Sequence, residues 1–142
     1  MEKVLFFLRK IEQMQKISVQ IFDSKKKNCT FATMKAMSHR NEVISRIRHF
    51  SQQALPKDAH ILLYGSQARG DAHESSDWDI LVILEKAKVE QSDYDNIVFP
   101  LTMLGWELGE AIIPVVYTRE EWDKSSFMPF YKNVERDKIV LH

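Results

Sequence analysis

Two small groups of residues have the types and spacing to do chemistry together. Gly65 and Ser66 follow the apolar run His60-Ile61-Leu62-Leu63-Tyr64, and Asp77-Trp78-Asp79 heads a second apolar run that ends at Leu84. The first run is short and aliphatic and stops at a glycine, which reads as a buried strand entering a sharp turn. Ser66 suits the N-cap of the following Gln67-Ala68-Arg69 turn, and free N–H groups at such a start attract phosphate. The Ser66 hydroxyl adds a donor and Arg69 a fixed positive charge. Asp77 and Asp79 stand two apart at the head of a strand, so alternation sends both carboxylates to one face, with Cα atoms about 6–7 Å apart. Such a pair suits Mg²⁺ or Mn²⁺ shared with phosphate oxygens and water. A phosphate cradle beside a paired-carboxylate metal site fits in-line displacement on a triphosphate, that is, nucleotidyl transfer.

Each piece alone says little. Gly-Ser is a turn, Asp-x-Asp is most often a solvated strand end, and a lone arginine is usually a surface residue. Their combination between two aliphatic strands is the signal. The stretch resembles the core of the minimal nucleotidyltransferases in the DNA polymerase beta superfamily. Gly65, Ser66, Ala68, Arg69, Gly70, Ser76, Asp77 and Asp79 carry the resemblance, which is strong over residues 61–84 and weaker out to about Tyr117. It implies an α/β (α+β) nucleotidyltransferase fold, a small mixed β-sheet flanked by helices. It implies metal-dependent transfer of a nucleoside monophosphate from an NTP to an acceptor hydroxyl. Asp77 and Asp79 would be the catalytic metal ligands, and Gly65, Ser66 and Arg69 would hold the nucleotide.

The same resemblance implies a third carboxylate on a later strand. The comparable segment is Ala111-Ile112-Ile113-Pro114-Val115-Val116-Tyr117, and alignment puts Pro114 at the missing position. Proline has no ladder N–H, which predicts an edge or a bulge there. Glu110 is the best substitute acid, although it lies about 13 Å from Pro114 along an extended strand. Without a third acid the alternative is a catalytically impaired, nucleotide-binding, antitoxin-like module. Small relatives often work beside a helical HEPN-type protein in toxin–antitoxin pairs, and some nucleotidylate it. The resemblance therefore implies such a partner, possible self-association being left open.

Other elements must position these groups. Ile44, Ile47, Phe50 and Ala54 mark a helix over Arg40–Leu55 that Pro56 closes. Tyr94, Ile97, Val98, Leu101, Leu104 and Leu108 recur at helical spacing, with a kink or restart expected at Pro100. Glu120 and Glu121 read as the start of a short helix behind Thr118. Trp122, Phe127, Phe130 and Tyr131 read as an aromatic segment closing the core, and Trp106 as a packing residue. Val4, Phe7, Leu8, Ile11 and Met14 follow helical spacing and predict an N-terminal helical extension. Residues 23–37 read as a linker, so the expected division is an extension over 1–37 and the nucleotidyltransferase domain over 38–142. Met34 or Met37 offers an alternative start.

Length and composition set the frame. A chain of 142 residues with 44% hydrophobic and 28% charged content fits one soluble globular domain. No apolar run is long enough to cross a membrane. A lone Cys29 forms no internal disulfide, and no Cys/His cluster suggests zinc. A cytoplasmic location is the expectation. Seven of the 20 Lys/Arg but only three of the 20 Asp/Glu fall in residues 1–33, so the remainder is mildly acidic. That argues against an extended nucleic-acid surface, which needs clustered cations.

Overall fold

In the computed structural model, which describes residues 32–142, the two apolar runs are the inner strands of a four-stranded sheet. Strand β1 (His60–Tyr64) pairs antiparallel with β2 (Trp78–Leu84), and the short helix α2 (Gly65–Arg69) begins where β1 ends. β3 (Ile112–Thr118) lies parallel to β2 at one edge. β4 (Ile139–Val140) lies antiparallel to β1 at the other, giving the order β3-β2-β1-β4. The sheet is mixed, as expected, and the strand that carries Pro114 is an edge strand, where a missing N–H costs no ladder bond. Contacts divide the chain into two compact units, Met1–Met37 and Ser38–His142. The second holds the sheet and the residues of the site.

Each face of the sheet has its own core. On one side lies helix α1 (Ala32–Ala54), whose Val43, Ile47 and Phe50 recur at helical spacing and bury against Ile61, Leu63, Ile80 and Val82. A helical stretch from Gln91 to Leu108 covers the same face. It consists of α3 (Gln91–Asp93), a π-helical turn over Tyr94–Val98, and α4 (Phe99–Leu108) with Pro100 in its first turn. Proline has no N–H to donate, and the π-helical turn immediately before it is where the continuous helix takes up that loss. On the other side, α5 (Arg119–Lys124) and α6 (Pro129–Asp137) bring Trp122 and Val134 onto Leu62, Leu81 and Ile83. Trp122 stacks edge-on with Tyr117 and Phe130 and tilts against Tyr131. Full burial of a Leu or Ile contributes about 1.5–3 kcal/mol, so the alternation in β1 and β2 commits both strands to this two-sided packing.

Some sequence expectations change. The helix expected from Arg40 already runs from Ala32, so the predicted linker does not extend to Met37. Thr118 does cap α5, and its hydroxyl accepts from the Glu121 N–H while Glu121 reaches back to the Thr118 N–H. Trp106 is 66% exposed and Phe127 77% exposed, so neither closes the core. The strand β4 was not expected; two residues carry too little pattern to announce a strand. The proposed N-terminal helix and Cys29 lie outside the described residues.

Candidate functional site

The pairing of Tyr64 with Asp79 is the last register position of the β1–β2 ladder. It places Gly65, the next residue, against the Asp79 side chain. Gly65 holds φ +70°, and a Cβ built on it would stand 2.3 Å from Asp79 Oδ2. Only glycine fits such a left-handed position under a carboxylate. The turn and the second aspartate are therefore packed together by the hairpin geometry itself.

Asp77 lies just before β2 and is exposed, whereas Asp79 is half-buried. Asp79 shares its face with Leu81 and Ile83, and Trp78 between the two acids turns to the opposite face, into the core under α1 and α4, here the helix-side core. Burial pushes the Asp79 carboxyl above the usual aspartate range, the Asp77 charge adds to this, and Arg69 partly offsets it. Tyr64, half-buried beside Asp79, has its phenol pushed up to about 12, first by burial and then by the charges of Asp79 and Tyr117. The site is thus a pair of mutually repelling carboxylates with a shortage of positive charge.

Helix α2 supplies the rest. Its N-cap is Tyr64, so Ser66 sits within the first turn and is not the cap residue that the sequence suggested. Ser66 still lies in the turn beside Asp79, and its carbonyl accepts the Gly70 N–H at 3.0 Å. Gly70 closes the helix in the left-handed conformation. Arg69 reaches Asp71 at 3.1 Å and Asp137 of α6 at 3.6 Å. From the other side of the sheet, Arg40 of α1 donates to the Gln67 carbonyl at 2.8 Å, one of the carbonyls a helix end leaves without an internal donor. In the loop before Asp77, the His73 N–H donates to Ser76 Oγ at 2.9 Å and the His73 ring meets Ser75 Oγ at 3.0 Å. Sequence reasoning missed Arg40 and Asp137. Neither carries a local signal, because each reaches α2 only through the tertiary fold.

Two expectations about a third acid are corrected. Pro114 pairs with Ile80, and the neighbours of like parity, Ile112 and Val116, pack into the helix-side core. Pro114 therefore faces away from the carboxylates. The β3 residue level with Asp79 is Ile113, which is 45% exposed. Glu110 does not join the pair either. Its Oε2 accepts from the Trp78 indole N–H at 3.0 Å and its Oε1 lies 2.6 Å from His39 Nε2, on the side to which Trp78 turns. Glu107 pairs with Arg46 at 3.3 Å.

Residues 44–140 match the sequence pattern of the nucleotidyltransferase domain family. The chain belongs to this family. It is similar to a protein of Methanocaldococcus jannaschii that is named as a candidate protein adenylyltransferase, with 35% identity over 82 residues, 58% of this chain and 76% of that one. A crystal structure described as a candidate nucleotidyltransferase from Sulfolobus solfataricus superposes with a TM-score of 0.44 and 19% identity, over 83% of this chain and 89% of that one.

For a nucleotidyltransferase the donor set on β2 suits a divalent cation. Two hard carboxylate oxygens crowd each other, and burial already disfavours the charge of Asp79. Mg²⁺ binds well through one or two carboxylates when phosphate oxygens and water complete its shell. Among the described residues no group of three or more His, Cys, Asp or Glu side chains could hold a metal ion. A surface depression elsewhere is lined by Glu85, Lys86, Arg119, Glu120, Asp123 and Lys124. It lies at the far end of β2 and β3, and Lys86, Arg119 and Lys124 are each paired with carboxylates. Among the described residues no helix is long and apolar enough to cross a membrane.

Proposed function

We propose that this protein transfers a nucleoside monophosphate from an NTP to a hydroxyl on an acceptor protein. One observation carries the reading: Gly65 packs its bare Cα beneath Asp79, which joins the phosphate turn to the carboxylate pair. Asp77 and Asp79 would hold Mg²⁺ or Mn²⁺, which supplies positive charge to the triphosphate as it develops in the transition state. Gly65, Ser66 and Arg69 hold the phosphates. Gly65 permits close approach, the Ser66 hydroxyl donates, and Arg69 sets a fixed charge at the end of α2. The acceptor oxygen attacks the α-phosphorus, the bond to the β-phosphate oxygen breaks, and pyrophosphate leaves. The hydroxyl proton passes to water or to a base on the acceptor.

The name of the Methanocaldococcus relative favours ATP as the donor and a protein as the acceptor. The resemblance of residues 61–84 to the minimal nucleotidyltransferases favours a helical partner of the HEPN type as that protein. The decisive experiment incubates the protein with labelled ATP, GTP, CTP and UTP, with Mg²⁺ or Mn²⁺, and with the product of the adjacent gene. Label should appear on a protein, and Asp77→Asn and Asp79→Asn should abolish it while leaving the fold intact. Full activity in both variants would sink the assignment.

The aliphatic Ile113 beside Asp79 favours a second reading, in which the domain binds nucleotide and covers its partner without turnover. In that case calorimetry gives Mg²⁺-dependent NTP affinity, but no label is transferred to any protein.

A further inference from the structure

We infer that Glu110 is a positioning residue for the carboxylate pair and acts through the indole of Trp78. The inference rests on the reading of Asp77 and Asp79 as the metal–triphosphate site. Trp78 stands between them in sequence and is 2% exposed, with its ring in the helix-side core. Its indole N–H donates to Glu110 Oε2 at 3.0 Å, and its backbone N–H donates to the Ala111 carbonyl at 2.8 Å. Main chain and side chain of Trp78 are thus both tied to the dipeptide Glu110-Ala111. That dipeptide is itself held. The Glu110 N–H donates to the Gly105 carbonyl at 2.8 Å, and Glu110 Oε1 meets His39 of α1 at 2.6 Å. A Cβ on Gly105 would stand 2.7 Å from the Glu110 carbonyl, so the close approach of α4 that permits this arrangement needs a glycine.

The tether matters because of where the ladders stop. The β1–β2 register ends at Tyr64 and Asp79, and the β2–β3 register begins at Trp78 and Ile112. Asp77 lies beyond both. Its direction is set on the loop side by the bonds between Ser76 and His73, and on the strand side by the bonding of Trp78 to Glu110-Ala111. Side chains alternate along a strand, so any roll of Trp78 about the strand axis turns both carboxylates with it. A buried indole N–H needs an acceptor, and an ionised carboxylate gives a shorter and stronger bond than a neutral group. The contact with His39 fixes the orientation of that acceptor.

The test measures metal–nucleotide binding directly. Free Mn²⁺ is followed by electron paramagnetic resonance during titration with an ATP analogue whose α–β bridge is methylene. The proteins are wild type, Glu110→Ala, Glu110→Gln, Trp78→Phe and the double variant Glu110→Ala/Trp78→Phe, each with a thermal melt. Glu110→Ala and Trp78→Phe should each weaken binding about tenfold, the lower end for partners that orient metal ligands. The double variant should lose no more than either single one, since both break one bond. Glu110→Gln keeps a carbonyl acceptor and should restore most of the affinity. Trp78→Phe keeps the ring in the core, so it carries the test should Glu110→Ala fail to fold. Folded variants that bind like wild type, or losses that add, overturn the tether alone. A wild type that binds no Mn²⁺–nucleotide overturns the site reading and the tether with it.

Discussion

The backbone of Gly65 lies directly beneath the carboxylate of Asp79, leaving no room for a methyl group: a Cβ there would stand 2.3 Å from Oδ2. This contact is a consequence of the hairpin-like pairing of β1 and β2, which sets Tyr64 opposite Asp79 and delivers the next residue to the acid. The turn at Gly65 and the carboxylate of Asp79 are one packed unit.

Gly65→Ala should therefore damage the site in two ways. Holding a non-glycine residue at φ +70° costs about 1–2 kcal/mol. The added methyl also pushes Asp79 out of place. Thermal melts should show a lowered midpoint, and calorimetry should show loss of Mg²⁺-dependent NTP binding. Unchanged NTP affinity in the folded variant would show that Asp79 need not sit where it does.

The register of β3 turns the question of the third acid into a comparison of neighbours. Ile113 is level with Asp79 and exposed, whereas Pro114 pairs with Ile80 and faces the helix-side core. Ile113→Asp should fold and raise transfer above wild type, while Pro114→Asp should destabilise the protein and add no activity. A well-placed general base contributes about 10²–10⁴-fold, and an aspartate introduced without supporting neighbours should recover a small part of that. Stimulation by Pro114→Asp rather than by Ile113→Asp would show that the register in solution differs.

Asp79 gives a pH signature without nucleotide. Its raised pKa means that the folded state holds the proton more tightly than the unfolded chain does. Stability of the wild type should thus fall as pH rises from the ordinary aspartate range through the raised value. Asp79→Asn has no such loss. Its melting midpoint should exceed that of wild type at pH 7, and the difference should shrink as the pH approaches 3. With Mg²⁺–NTP present the order should reverse at pH 7, because only the wild type gains stability from the ligand. A midpoint for Asp79→Asn below wild type at pH 7 without ligand would contradict the electrostatic account.

Arg69 is held by two acids, one in its own loop and one on α6. Arg69→Ala should weaken NTP binding by about tenfold or more, the scale of a charge-assisted bond to phosphate. Asp137→Ala removes one brace and leaves the cation, so it should weaken binding in the same direction but by less. The Asp137 carboxyl is held low, first by the hydrogen bond from Arg136, so its contribution to stability is present at neutral pH and lost as pH falls through its depressed value. If Asp137→Ala tightens NTP binding, Asp137 acts as a competitor of phosphate for Arg69 and not as its brace.

Local order in the chain was enough for the turn and the acid pair. A strand that ends at Gly65, a short polar loop, and two aspartates of equal parity at the head of β2 place a turn close to an acid pair, although α2 starts two residues earlier than a Ser66 cap implied. The edge position of β3 was legible from Pro114 for a local reason too, a missing N–H. What tertiary structure alone decided is the phase between strands far apart in sequence. Alternation says that Ile113 and Val115 share a face, but nothing local says whether that face or the face of Pro114 meets Asp79. That depends on how a parallel partner docks, through Gly105 and the burial of Ile112 and Trp78. The fates of Glu110, Arg40 and Asp137 follow from the same docking. Each lies more than 25 residues from its partner at the site, and packing chooses which charged side chain reaches across that gap.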